Sequence, residues 1–254
     1  MLREVFVFSL LMGVGFIAGC ANDANNMSAG KTPDIDALYT AVPVNVDGKL
    51  DDPVWKNAKA YSLSIPCDRA ARGESLKDAG EVRFAWDNKY LYIAGKFTDS
   101  DIQANGTENG MHHYNWGDLM EVFLWPSDFS WYWELYVTPM SKKSTFFFPA
   151  KSYLGMASCY DYTCELTVAA QYKGTLNKWG DVDMFWTAEM AVPVSELTKR
   201  GEKFGPGANW RILVGRYNYS VYIDRQGPEL SSFPKLGKPN YHLCDEYGRV
   251  VFVK

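Results

Sequence analysis

The chain has 254 residues, a formal net charge of −4 and 15% aromatic residues, including 9 Trp and 16 Tyr. The charge is mildly acidic and no basic run appears, which excludes an electrostatic footprint for nucleic acid. Beyond Cys20 no apolar stretch is long enough for a membrane helix, and about 215 residues remain for one large domain.

In chain order, a short charged start (Arg3, Glu4) precedes an almost unbroken apolar stretch from Val5 to Ala18. That length is too short to span a bilayer but suits the core of a signal peptide. The run Phe16-Ile17-Ala18-Gly19-Cys20 resembles a bacterial lipobox, in which the signal is cut before the cysteine and the new N-terminus is acylated. The expectation is a signal peptide over 1–19 and a lipid on Cys20. A polar tether follows over 20–38, rich in Asn, Asp, Ser, Ala and Gly, and a folded domain occupies 39–254. The second residue of the mature chain would be Ala21 and not Asp, which by analogy with bacterial sorting favours the outer membrane.

Val42 to Gly48 reads as an edge strand running into a turn, and Asp52-Pro53 as the start of a two-turn helix whose Trp55 plugs one end of the core. From there the apolar period is two. Val82, Phe84 and Trp86 share one face, Asn88-Lys89 forms a tight turn, and Leu91 to Phe97 completes a hairpin. After a polar loop (99–117), strands are predicted over 119–125, 131–138, 144–148, 166–172, 184–192, 210–217 and 249–253, with a helical turn over 194–199. Many short strands and no long helix predict an all-β sandwich or barrel.

Four cysteines follow Cys20, an even number suited to an oxidising compartment. Of three possible pairings, Cys159 with Cys164 and Cys67 with Cys244 are favoured, as a loop staple and a link between early and late segments. No Cys-x-x-Cys spacing occurs, so no zinc site is indicated.

Glu121 shares parity with Leu119, Phe123 and Trp125, and Arg216 with Trp210, Ile212 and Val214. Charges on apolar faces are either paired or used, so an internal Glu121–Arg216 pair and a ligand contact are the two readings. Arg83, Lys96, Glu134 and Tyr136 project from the non-core faces of neighbouring strands, as on a solvated sheet face. Asp99, Asp101 and Asp118 offer oxygens that could hold calcium, without any EF-hand spacing.

Several pieces then fall in a telling order: Asp47-Gly48-Lys49-Leu50-Asp51-Asp52-Pro53-Val54-Trp55, Val82 to Asp87, Leu91-Tyr92-Ile93 and Asp99 to Ile102. Trp116 to Leu124, Trp210 to Arg216 and Tyr241 to Phe252 complete the order. Together they resemble the family 9 carbohydrate-binding modules and their family 9-like relatives. The resemblance implies a two-sheet antiparallel β-sandwich with one or two short helices. It also implies a non-catalytic role in binding a poly- or oligosaccharide, with calcium at most structural. It implies too that aromatic rings clamp a sugar while charged and amide groups bond its hydroxyls. On this reading Trp116 is the first clamp ring, Phe233 stands nearest the second, and Glu121 and Arg216 orient the sugar. Phenylalanine in place of tryptophan departs from the family pattern.

Three other functions are weighed. A glycoside hydrolase needs two carboxylates roughly 5–10 Å apart across a cleft; Glu121, Glu134 and Asp118 are candidates without a motif. A haem module could draw on Met111, His112, His113, Met120 and His242. An envelope interaction domain would keep the fold and lack the slot.

Overall fold

The computed structural model describes residues 32–151, 157–224 and 226–254. The expected signal segment, Cys20 and most of the expected tether lie outside them. Twelve strands and four short helices follow in order. They begin β1 (Asp34–Tyr39), α1 (Pro53–Asn57), β2 (Tyr61–Ser62), α2 (Cys67–Ala71), β3 (Gly80–Trp86) and β4 (Tyr90–Thr98). Next come β5 (Leu119–Pro126), β6 (Tyr132–Val137), β7 (Lys143–Phe148), α3 (Ala157–Tyr160), β8 (Thr167–Lys173) and β9 (Phe185–Pro193). The chain closes with α4 (Val194–Leu197), β10 (Trp210–Asn218), β11 (Glu229–Phe233) and β12 (Gly248–Val253). The fold is all-β, and among the described residues no helix is long and apolar enough to cross a membrane.

The strands form one hydrogen-bonded path, β7-β6-β5-β10-β12-β1-β3-β4-β9-β8, with β11 attached to β10 and β2 to β3. Two separate sheets were expected, so the single sheet is a correction. The join is β1, which lies parallel to both β12 and β3. Five of its six residues fall in the segment assigned to the tether. Ile35 and Ala37 alternate with Asp34, Asp36 and Leu38, so a half-buried period of two is present inside a polar composition. The sheet folds over until it is nearly closed. Val82, Phe84, Ile93 and Trp186 from one half meet Met120, Val122, Trp133 and Val214 from the other in the main core.

The hairpin β3–β4 turns at Asn88-Lys89, and Val82, Phe84 and Trp86 all face the core, as their alternation predicts. Val42 to Gly48 forms no strand, correcting the predicted edge strand. Trp55 is also corrected: it packs with Val44, Ala85, Tyr92 and Ala191 in a cluster separate from the main core. Its indole N–H donates to Glu189 Oε1 (2.7 Å), and the backbone N–H groups of Asp47 and Gly48 donate to Glu189 Oε2 (2.9 and 2.7 Å). One buried carboxylate therefore pins both ends of the Asp47–Trp55 segment. Gly48 is needed there: its φ is +82°, and a Cβ would lie 2.7 Å from the Ala170 carbonyl carbon.

A third cluster lies on the face of β5, β6 and β10 that points away from the main core. Leu119, Phe123, Tyr132, Tyr136, Leu213 and Tyr241 form it, so this half of the sheet is buried on both faces.

Candidate functional site

Trp116 stands on the loop entering β5, with 48% of its surface exposed. It borders a cavity of about 410 Å³ with Gln103, Asn105, Asn115, Gly117 and Tyr219. The loop is held as a small ladder. Asn105 N–H donates to Trp116 O (2.8 Å), Asp118 N–H donates to Gln103 O (2.6 Å), and Ala104 bridges to Gly117. A side chain at residue 117 would strike this ladder, since a Cβ would sit 2.2 Å from Gln103 O. The glycine thus lets the two backbones close and leaves the indole on the rim. Tyr219 reaches the same rim, its hydroxyl donating to Tyr114 O (2.5 Å). A flat ring beside three side-chain amides suits a pyranose, whose C–H face stacks while its hydroxyls take directional hydrogen bonds.

Beneath this rim lie the three acids considered for calcium. Asp99 accepts from Asp101 N–H (3.0 Å) and from Arg216 Nη2 (2.9 Å). Asp101 accepts from Gln103 Nε2 (2.6 Å) and Val221 N–H (2.8 Å). Asp118 accepts from Gln103 N–H (2.7 Å) and Tyr219 N–H (2.6 Å). All six carboxylate oxygens already face a protein donor, and among the described residues no group of three His, Cys, Asp or Glu is arranged to hold a metal. The set does not fit a calcium cage; its geometry braces the loops that carry Trp116 and Tyr219.

Arg216 is fully buried and completes the brace, donating to Asp99, Asn218 Oδ1 (3.1 Å) and Asp78 O (3.2 Å). Burial pushes Asp99 up while the guanidinium pulls it back. Burial and then the Asp99 charge push Asp118 well above the usual carboxylate range. Arg216 is a positioning residue beneath the cavity, which corrects its expected place beside a sugar.

Glu121 and Arg216 do not pair. In the β5–β10 register Glu121 opposes Gly215 and Arg216 opposes Met120, so the two side chains leave the sheet on opposite faces. Glu121 meets Glu134 instead. The two are 2% and 5% exposed, and the Tyr136 hydroxyl donates to Glu134 Oε1. Burial, then the neighbouring Glu134, push Glu121 well above the ordinary range, and burial raises Glu134 to about 7. His242 Nε2 lies 3.7 Å from Glu134 Oε2, and burial lowers this imidazole to about 4, so it is neutral and the contact is no ion pair. Neither glutamate lines the Trp116 cavity. The expected polar set is thus split: Glu134 and Tyr136 are buried here, whereas Arg83 and Lys96 border a different cavity on the other half of the sheet.

Phe233 does not face Trp116. It pairs with Val214 on β10, stacks on Tyr61 (centroids 4.6 Å apart) and packs against the main core. The expected two-ring clamp is therefore not assembled. Tyr219, Gln103, Asn105 and Asn115 are the rim residues that sequence reasoning missed. Met120 lies in the main core, whereas His242 packs on Phe123 on the other face of its strand, so these two candidate haem ligands are kept apart. No disulfide joins Cys67, Cys159, Cys164 or Cys244. Cys159 belongs to the outer cluster and Cys164 packs against the main core, so the expected Cys159–Cys164 staple is not made; nor is the Cys67–Cys244 link.

Residues 46–132 match the family model described as carbohydrate family 9 binding domain-like. A search of curated proteins returns no match. Among solved structures, a candidate carbohydrate-binding protein from Bacteroides uniformis superposes with a TM-score of 0.65 at 12% identity, over 87% of this chain and 99% of that one. A family 9 carbohydrate-binding module from Caldicellulosiruptor kristjanssonii, in complex with cellotriose, gives 0.57 at 13% identity over 87% and 93%. Such a module from the same organism, in complex with glucose, gives 0.54 at 15% identity over 86% and 95%. Over residues 46–132 the chain is thus similar to the family 9-like binding domains, and its all-β fold resembles that of the carbohydrate-binding modules.

Proposed function

We propose that the protein is a non-catalytic carbohydrate-binding lipoprotein of the cell envelope, acylated at Cys20 and facing away from the cytoplasm. The sugar stacks on Trp116 and is hydrogen-bonded by Gln103, Asn105 and Asn115. The observation that carries this reading is the half-exposed indole on a cavity rimmed by side-chain amides. The likeness to modules whose structures hold cellotriose and glucose supports it. The buried Glu121–Glu134 pair offers no carboxylate to that cavity, which favours binding over hydrolysis.

A glycan array that includes cello-oligosaccharides, followed by calorimetry on the best ligand, tests the site. Trp116→Ala is expected to weaken binding at least about tenfold, since stacked aromatics dominate such contacts. Its melting temperature should stay within about 2 °C of wild type, because the ring is largely at the surface. Unchanged affinity, or a collapse in stability, would refute the assignment. The anchor is tested separately: Cys20→Ser should move the protein from the membrane to the soluble fraction and abolish incorporation of a labelled fatty acid.

A second reading is an interaction domain without a sugar slot. It is favoured by the exposed Trp179, Val182, Met184, Val221 and Tyr222, an apolar set larger than a scattering of single side chains. Silence across the array would select it.

A further inference from the structure

The outward face of β3, β4, β8 and β9 carries a second cavity, of about 620 Å³, which shares no lining residue with the Trp116 cavity. Its wall is the Lys49-Leu50 turn together with Trp55 and Lys56 of α1, and its floor includes Arg83, Lys96, Gln171 and Phe185. Four cations and one carboxylate, Glu81, line it, although the chain as a whole is acidic. Two of the cations are held by neighbours: Arg83 Nη1 donates to Glu81 (2.8 Å) and Lys49 Nζ to Asp47 (2.7 Å). Lys56 and Lys96 are exposed and belong to no ion pair among the described residues. Lys96 Nζ lies 5.7 Å from the Phe185 ring centroid, so a cation and an apolar ring face stand together.

The floor is rigid. Glu189 fixes the turn and Trp55 through three hydrogen bonds, and the Thr187 hydroxyl donates to Gly48 O (2.6 Å). Gln171 Nε2 donates to Asp47 O (3.0 Å), tying β8 to the same wall. A walled cavity with a ring, an amide and two unpaired ammonium groups has the makeup of a sugar site that also neutralises negative charge. A solvated sheet face would have no wall and would pair its charges along the strands.

We propose that this cavity is a second binding site, selective for negatively charged saccharides, in which Lys56 and Lys96 meet a carboxylate or sulfate and Phe185 meets the sugar ring. It extends the function beyond neutral-sugar recognition at Trp116 and does not depend on that site.

The test is calorimetry on the full folded domain with trigalacturonate, with a sulfated chondroitin tetrasaccharide and with cellotriose. Binding of trigalacturonate shows that a carboxylate suffices; binding of the chondroitin probe alone, which carries glucuronate carboxylates as well as sulfates, shows that sulfate is required. At least one acidic probe should bind in low salt and weaken as salt is raised towards 0.5 M, as expected for partly exposed charges with a Debye length of roughly 4 Å there. Lys56→Gln/Lys96→Gln should lower its affinity at least about tenfold, on the scale of losing charged hydrogen bonds. Both residues are exposed, so the variant should melt as wild type does. Trp116→Ala should leave acidic binding intact, and the lysine variant should leave any cellotriose binding intact. The proposal is overturned if neither acidic probe binds, if the lysine variant binds them as wild type does, or if acidic binding disappears in Trp116→Ala.

Discussion

Replacing Arg216 by methionine is expected to remove about 4 kcal/mol of stability, the scale of breaking a buried ion pair from one side. The guanidinium is the partner of the buried Asp99 and also holds Asn218 and two backbone carbonyls in place. Methionine fills part of the volume but leaves Asp99 and Asp118 buried near each other with no cation between them. Both must then take up protons or draw in water, and the loops on which Trp116 and Tyr219 stand lose their common support. Urea unfolding of Arg216→Met should show the loss, and Arg216→Met/Asp99→Asn should recover part of it, because the second change removes the stranded charge. A single variant within about 1 kcal/mol of wild type would show that the network is not what braces the rim.

The Glu121–Glu134 pair should make stability fall as pH rises. Glu134 moves from an ordinary 4.5 to about 7 on burial, so the folded chain keeps a proton that the unfolded chain releases. Its contribution is complete below about 4.5 and is lost as pH climbs through 7. Glu121, raised well above its ordinary value, acts in the same direction. His242 acts oppositely: lowered from 6.5 to about 4, its contribution is present above 6.5 and is lost as pH falls. Comparing wild type with Glu121→Gln/Glu134→Gln at each pH cancels the histidine. Between pH 4.5 and 7, Glu134 alone should cost wild type about 3 kcal/mol relative to that variant. Parallel stability curves would mean that both carboxylates ionise without penalty and that no proton is shared.

Much of the fold was legible because alternation is a local property. The faces of β3, β5 and β10 follow from which residues are apolar at a spacing of two, and so does the anomaly of charges at Glu121 and Arg216. What those charges do was not legible, because opposite faces of neighbouring strands depend on register between β5 and β10, nearly a hundred residues apart in sequence. The Glu121–Glu134 contact did leave a signal. Glu121 and Tyr136 lie symmetrically about the turn joining β5 and β6, so a hairpin drawn to scale places Glu134 and Tyr136 beside Glu121. Phe233 misled because its neighbourhood resembles the family's second clamp, whereas pairing with Val214 turns the ring into the core. β1 was hidden by its surroundings: a short strand with Asp34 and Asp36 between its apolar residues, next to a polar segment, reads as tether until a parallel partner exists on each side. The rim residues Asn105, Asn115 and Tyr219 gave no periodic signal, since loops place side chains by local hydrogen bonds such as those of Asp118.

Sugar recognition at the Trp116 rim is tested most directly by following the tryptophan indole N–H resonances during a titration with cellotriose, or with the best ligand from an array. The indole of Trp116 should shift in step with the backbone signals of Asn115 and Tyr219, while the buried indoles of Trp133 and Trp210 stay still. A ligand that binds while the Trp116 resonance does not move, or the failure of every glycan tried to perturb it, would contradict the reading.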